Sequence, residues 1–467
     1  MLFNSWPFLF FFVTVFLLYN CLRLRAQNVL LLVASYFFYG WWDWRFLSLL
    51  MISTAVDYTV ARMMTGTEGR RRKLLLAVSV CTNVGLLGFF KYCNFFLESA
   101  SALLTALGFA PHTHALRIIL PVGISFYTFQ TMAYAIDVYR KRFTAVRDPV
   151  TFALYVSFFP QLVAGPIERP GRLLPQLTKS RQVTREKVCS GCVLVLIGLV
   201  RKMAIADVVA GRVDTVFGDP GRFGSLAMAS ATVLFALQIY CDFAGYSDIA
   251  RGVSRILGIE LIRNFEHPYL ATNLTEFWHR WHISLSTWLR DYVYIPLGGN
   301  RCARLLTYRN ILVTMLLGGL WHGAQWTFVA WGGIHGLALV VHKIWRSRAG
   351  EAPGTRRMMV RLLCWALTML FVCLAWIFFR SQDFGTAFQA LSSLLSFRGG
   401  IDLKCLALPA AMIAFVLFLD VPQVLTNDHA ALLRWPLALR TAVYAALVLV
   451  LIALPTGGGA PFIYFQF

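Results

Sequence analysis

The chain is 467 residues long, 58% hydrophobic and only 14% charged. Soluble domains carry roughly a quarter charged residues, so a water-soluble globular fold is excluded. The formal net charge of +21 does not point to a nucleic-acid partner, because the basic residues lie in short loops between apolar runs, as the positive-inside rule expects of a membrane protein.

Apolar cores able to extend to the ~20 residues that a bilayer demands recur at 6–19, 29–39, 74–90, 118–136, 193–200, 227–240, 311–320, 327–341, 362–379, 406–419 and 443–454. They predict an all-α polytopic integral membrane protein with roughly ten to twelve passes plus partial ones, organised as a single domain over 1–467 with a tail at 455–467. The first run lacks a basic segment ahead of it and a small-residue cleavage site behind it, so it is expected to be retained. Basic segments at 23–25, 70–73, 140–147, 169–187 and 343–361 are expected in the cytoplasm. That places the N-terminus outside, and counting passes places the tail outside too.

Two basic segments, 140–147 and 169–187, flank one apolar stretch, 151–167. Both cannot be cytoplasmic if that stretch crosses, so it is expected to enter the membrane and turn back at Pro160, Gly165 and Pro166. Irregular backbone at membrane depth is tolerated only where protein covers it or it lines a watery cavity. Cys189 and Cys192 form a Cys-x-x-Cys with neither a second pair for zinc nor thioredoxin-like surroundings. The other cysteines lie mostly within apolar runs, where a thiol acts as a small hydrophobe.

The region 264–309 is too polar for a free membrane helix. Between Glu276 and Asp291, helical spacing puts Trp278, Trp281, Leu285 and Trp288 near one face, with His282 and Ser286 one turn apart beside it. An interfacial amphipathic helix is the plain alternative for those tryptophans. Farther on, 317–336 sets His322 and His335 among glycines, which let membrane helices approach closely. His335 is expected to serve a hydrogen-bonded packing role. His322, an ionisable group followed by Gly323 in a membrane segment, is a candidate functional residue.

The stretch Asn273-Leu-Thr-Glu-Phe-Trp-His-Arg-Trp-His282, continuing Ile-Ser-Leu-Ser-Thr-Trp-Leu-Arg-Asp291 to Pro296-Leu-Gly-Gly-Asn-Arg301, resembles the membrane-bound O-acyltransferases. Phe159-Pro-Gln-Leu-Val-Ala-Gly-Pro166, Asp242-Phe-Ala-Gly-Tyr-Ser-Asp248 and Gly318-Gly-Leu-Trp-His-Gly323 match that family in order and spacing. The wording is closest to its bacterial branch, which supplies acetyl groups for alginate, cellulose or peptidoglycan. The resemblance implies that His322 is catalytic and His282 assists, within re-entrant segments around a central tunnel. It also draws Trp281, Ser286, Trp288, Arg290, Asp291 and Trp321 into the expected substrate site. His279 departs from the pattern, relatives often carrying arginine there.

Acyl transfer from a thioester to a hydroxyl needs a base, and imidazole, with a pKa near roughly 6.5, suits neutral pH. His322 fits that role, while His282 or a nearby amide is a candidate donor to the oxyanion. His279, His282 and His322 also form a conceivable metal set, but no acidic or cysteine partner accompanies them, and the resemblance implies no metal and no permanently bound cofactor. It implies acetyl-coenzyme A as donor, with the basic segment 169–187 a candidate to hold its phosphates, and a periplasmic acetyltransferase or polysaccharide-modifying protein as partner in a bacterial inner membrane. The tail ending Pro461-Phe-Ile-Tyr-Phe-Gln-Phe467 resembles the Phe-x-Tyr-Phe ending of the small partner protein of teichoic acid D-alanylation. Tyr464, on a hinge at 457–459, is therefore a candidate acyl carrier, with an aromatic interfacial anchor as the alternative. Transfer of D-alanine from a carrier protein and a polysaccharide-precursor flippase are the rival functions.

Overall fold

The computed structural model describes residues 1–109, 118–349, 358–397, 404–454 and 462–463. Among them the chain is helical and contains no strand. Six helical runs are long and apolar enough to cross a membrane: Leu24–Met64, Gly69–Ala106, Ser225–Ile256, Trp326–Arg348, Met358–Arg380 and Lys404–Thr426. Three more apolar helices, Trp6–Asn20, Phe384–Leu395 and Leu437–Ala453, are shorter. Large apolar side chains such as Val33, Phe37, Leu367, Leu370 and Leu449 are exposed, as a lipid-facing surface requires. The all-α multi-pass membrane fold is therefore the one that the apolar runs dictate.

The chain divides into two compact units, Met1–Cys192 with Ala250–Ile262, and Val193–Ile249 with Arg263–Phe467. In the first, helices α1 (Trp6–Asn20), α2 (Leu24–Asp43), α3 (Leu47–Met64), α4 (Gly69–Leu87), α5 (Cys93–Ala106) and α6 (Ile124–Tyr139) precede the apolar stretch expected to turn back. Buried Asp57 of α3 accepts hydrogen bonds from Ser79 and from Asn83 of α4, whose own Oδ1 accepts from Ser53 and from Thr131 of α6. Arg72 donates to the carbonyls of Met64, Thr67, Val138 and Tyr139, which are orphan acceptors at and beyond helix ends.

The 151–167 stretch is broken into α7 (Pro149–Ser157) and α8 (Phe159–Leu162). Its residues are almost entirely buried in protein. The Phe159 amide donates to Ser35 at 3.0 Å, and the Tyr155 carbonyl accepts from the Gln161 side chain at 2.8 Å. Side chains thus replace the ladder bonds lost at the break, as backbone away from water demands. Downstream, α9 (Pro170–Thr178) is tied down by Arg172, which donates to the Leu261 carbonyl, while Arg181 bonds Tyr19 and Asn28. Arg172 and Arg181 are thus both engaged with protein groups.

The remaining helices are α10 (Arg185–Leu199), α11 (Asp207–Gly218), α12 (Ser225–Ile256), α13 (Leu274–Arg280), α14 (Ile283–Leu289), α15 (Arg304–His322), α16 (Trp326–Ala349), α17 (Met358–Arg380), α18 (Phe384–Leu395), α19 (Lys404–Thr426) and α20 (Leu437–Ala453). A π-helical turn, Val200–Ala206, joins α10 to α11.

In the second unit α15 and α16 form a tight hairpin. A Cβ at Gly319 would lie 2.2 Å from the Phe328 carbonyl oxygen, and one at Gly332 2.3 Å from that of Met315. Because the obstacle is backbone, Gly319→Ala and Gly332→Ala are each expected to destabilise the hairpin by about 1–3 kcal/mol. At Gly333 the nearest atom is a leucine methyl at 3.5 Å, so Gly333→Ala is the matched neutral control. Thermal unfolding of the three variants in one detergent checks this, and equal melting temperatures would refute it.

Candidate active site

His322 ends α15 and is 3% exposed. Its ring centroid lies 5.1 Å from that of Trp321, 5.2 Å from Trp331, 5.3 Å from Phe379 and 6.3 Å from His282. Gly323 follows because a Cβ there would meet the Phe328 ring at 2.1 Å. Two imidazoles are thereby enclosed by aromatic rings at the end of a tightly packed hairpin.

His282 does not lie on one continuous helix, as the 276–291 spacing suggested. The chain breaks between α13 and α14, and His282 sits in the break with φ 43°, in the left-handed region. Asn264 explains the break. Its backbone carbonyl accepts from the Ile283 amide at 2.9 Å, and its Oδ1 accepts from Ser284 N at 3.2 Å and Ser284 Oγ at 2.9 Å. The same Oδ1 lies 3.1 Å from His282 Nδ1. An oxygen that takes a backbone N–H is the acceptor, so Nδ1 carries the proton and Nε2 the lone pair. His282 lies outside the six spans, and burial pushes its pKa down to about 3, so the ring is neutral near pH 7. In that tautomer Nε2 has no proton to give, which removes His282 as the donor to an oxyanion and leaves it as an acceptor.

The other expected site residues divide into two sets. Trp321 lies 5.7 Å from His282. Trp281 is fully buried against Phe265, Phe277 and Trp376, and Trp288 is buried beside Tyr292, so the interfacial-helix alternative fails for both. Ser286 instead stitches the break, its Oγ donating to the Trp281 carbonyl at 3.1 Å. Arg290 is exposed and pairs with Asp291 at 2.8 Å on a π-helical turn, Arg290–Tyr294. His279 is exposed whereas His282 and His322 are buried, and among the described residues no three His, Cys, Asp or Glu side chains are placed to hold a metal.

His335 is fully buried among Trp278, Trp331 and Phe371, with ring centroids at 4.9 to 5.2 Å. Neither of its nitrogens has a hydrogen-bond partner among the described residues, so the hydrogen-bonded packing role expected for it is corrected: it packs, but without the bonds. The indole N–H groups of Trp281, Trp331 and Trp376 are likewise buried without an acceptor there.

The Asp242–Asp248 motif lies on α12, and two of its residues support this site. Phe243 packs edge-on against His282 at 4.6 Å, and Ser247 accepts from Asn264 at 3.4 Å. Asp248 pairs with Arg201, which also grips Asp420. Asp242 pairs with Lys202, which reaches Asp207 at 2.9 Å. Tyr240 donates to Asp420 at 2.8 Å, and His267 lies 3.2 Å from the same carboxylate. Sequence reasoning missed Asn264, Arg201, Lys202 and Asp420. For the last three a signal existed, since ionisable residues in apolar runs mark functional or paired sites.

The fold is that of a multi-pass membrane protein with two buried imidazoles side by side. The profile of the membrane-bound O-acyltransferase family matches residues 146–382. A protein of Azotobacter vinelandii named probable alginate O-acetylase AlgI is 37% identical over the whole of both chains. The peptidoglycan O-acetyltransferase of Helicobacter pylori is 36% identical over 85% of this chain and 80% of its own. The teichoic acid D-alanyltransferase of Streptococcus thermophilus is 28% identical over 55% of this chain and 68% of its own. The chain belongs to the membrane-bound O-acyltransferase family, and it is an O-acyltransferase.

Proposed function

We propose that this enzyme moves an acetyl group from cytoplasmic acetyl-coenzyme A across the bacterial inner membrane toward a cell-surface polysaccharide, with both termini in the periplasm and a periplasmic acetyltransferase as the onward partner. The observation that carries the mechanism is the buried imidazole pair, His282 and His322, enclosed by aromatic rings at 6.3 Å between centroids. His322 takes the proton of the acceptor hydroxyl as its oxygen attacks the thioester carbonyl. The tetrahedral oxyanion draws on the buried Trp331 N–H, the C–S bond breaks, and the thiolate leaves with the proton held on His322. A charged nucleotide does not cross hydrocarbon, so the acyl group alone passes, through a tunnel with His322 partway along. The relatives named for alginate and peptidoglycan set the acceptor class as a polysaccharide, with cellulose a further member.

Tyr464 is the proposed acyl carrier of the tail. It lies outside the described residues, as does the 457–459 hinge, but its neighbours Phe462 and Ile463 are buried in protein rather than presented to lipid, which favours a tail that folds back. Tyr464→Phe keeps the ring and removes the nucleophile. Polymer acetylation in cells carrying that variant is expected to fall to background, and full acetylation would sink the relay. Mass analysis of the tail peptide after incubation with acetyl-coenzyme A or with a D-alanyl carrier protein distinguishes the two donors.

A further inference from the structure

The two described tail residues are not merely near the body but built into it. The Ile463 amide donates to Asp242 Oδ2 at 2.7 Å, a bond buried on both sides. The Phe462 ring centroid lies 4.4 Å from the Lys202 ammonium and meets Tyr246 edge-on at 4.6 Å. Lys202 is 1% exposed and holds the other oxygen of Asp242 at 2.5 Å. One lysine thus fixes the carboxylate that takes the tail's amide while its charge faces the tail's ring, an arrangement that strengthens when desolvated.

The position of this contact matters. Tyr246 and Phe243 are three residues apart on α12, about 4.5 Å along its axis, and Phe243 is the residue packed on His282 at 4.6 Å. Two residues of extended chain span at most about 7 Å.

We propose that Asp242, Lys202 and Tyr246 form a seat for a short apolar peptide segment, filled by the chain's own Phe462 and Ile463, which delivers the residue that follows, Tyr464, to the histidine pair. Delivery rests on the acyl-carrier reading of Tyr464, whereas the seat rests on its own contacts. The seat recognises an amide N–H flanked by an aromatic ring and an aliphatic side chain. It gives the Asp242 motif residue a task that no reacting group requires of it.

Hydrogen–deuterium exchange of the C-terminal peptide, measured by mass spectrometry on the full chain in detergent, reads the seat directly. The Ile463 amide is expected to exchange at least about 10-fold slower than in the free peptide. Phe462→Ala is expected to abolish that protection and to lower polymer acetylation toward the level of Tyr464→Phe, and Ile463→Pro, which deletes the donor, is expected to lower it likewise. Both variants alter only the tail, and a melting temperature equal to that of the unaltered chain checks that the body's fold is spared. Free-peptide exchange in the unaltered chain overturns the seat. Lost protection in Phe462→Ala with full acetylation overturns delivery, and Tyr464→Phe then separates the cases: inactive, the carrier survives without the seat; active, the carrier reading itself fails.

Discussion

Replacing His322 with Gln is expected to lower acyl transfer by about 10²–10⁴-fold, the usual worth of a positioned general base, with yield and melting temperature close to those of the unaltered chain. Glutamine keeps a polar side chain of similar reach at the end of α15 but accepts no proton. The rings of Trp321, Trp331 and Phe379, all within 5.3 Å between centroids, bury the side chain, which leaves a solvent base little access. Trp331→Phe tests the other half of the mechanism: it preserves the ring wall and deletes one N–H, and a loss of about 10²–10³-fold in turnover is expected. Transfer of radiolabelled acetyl by purified protein checks both. A folded His322→Gln protein with full activity would remove the general base and favour the flippase rival.

Arg201→Met is expected to produce the largest loss of stability, about 3–5 kcal/mol, because removing one partner of a buried ion pair strands the others. Here two carboxylates would lose their guanidinium: Asp248 of α12 and Asp420 of α19 are 4% and 6% exposed, and Arg201 is 2% exposed. Tyr240 and His267 still face Asp420, but neither replaces the forked guanidinium that bridges the two carboxylates. Adding Asp420→Asn to Arg201→Met removes one stranded charge and is expected to recover part of the loss. Comparing melting temperatures in one detergent at one heating rate decides the matter, and an Arg201→Met protein that melts with the unaltered chain refutes it.

The same residues show how legible the site was. Trp321-His322-Gly323 stood out because an ionisable group in an apolar run is costly, and the structure supplies the reason for its glycine in the Phe328 ring. His282 was visible as a polar residue but not its conformation: helical spacing carried it along a continuous helix, whereas Asn264, eighteen positions earlier, draws the chain into a break. Periodicity sees neighbours one turn away and is blind to a hydrogen bond that spans a loop. Arg290 and Asp291 entered the expected site because they share a motif with His282, yet they pair with each other at the surface.

What the amino-acid order determined by itself was the solvent and the class of structure: long apolar runs separated by basic loops leave no alternative to membrane helices, since backbone groups in lipid must bond within their own segment. Its motifs also carried the family. The tertiary structure alone decided which polar groups meet. The tautomer of His282 follows from Asn264 and Ser284, the carboxylates of α12 and α19 converge on adjacent Arg201 and Lys202, and Phe462 and Ile463 find Asp242 some 220 residues away. Such pairings depend on directional bonds and desolvation between distant segments, and no local pattern of hydrophobicity or charge encodes them.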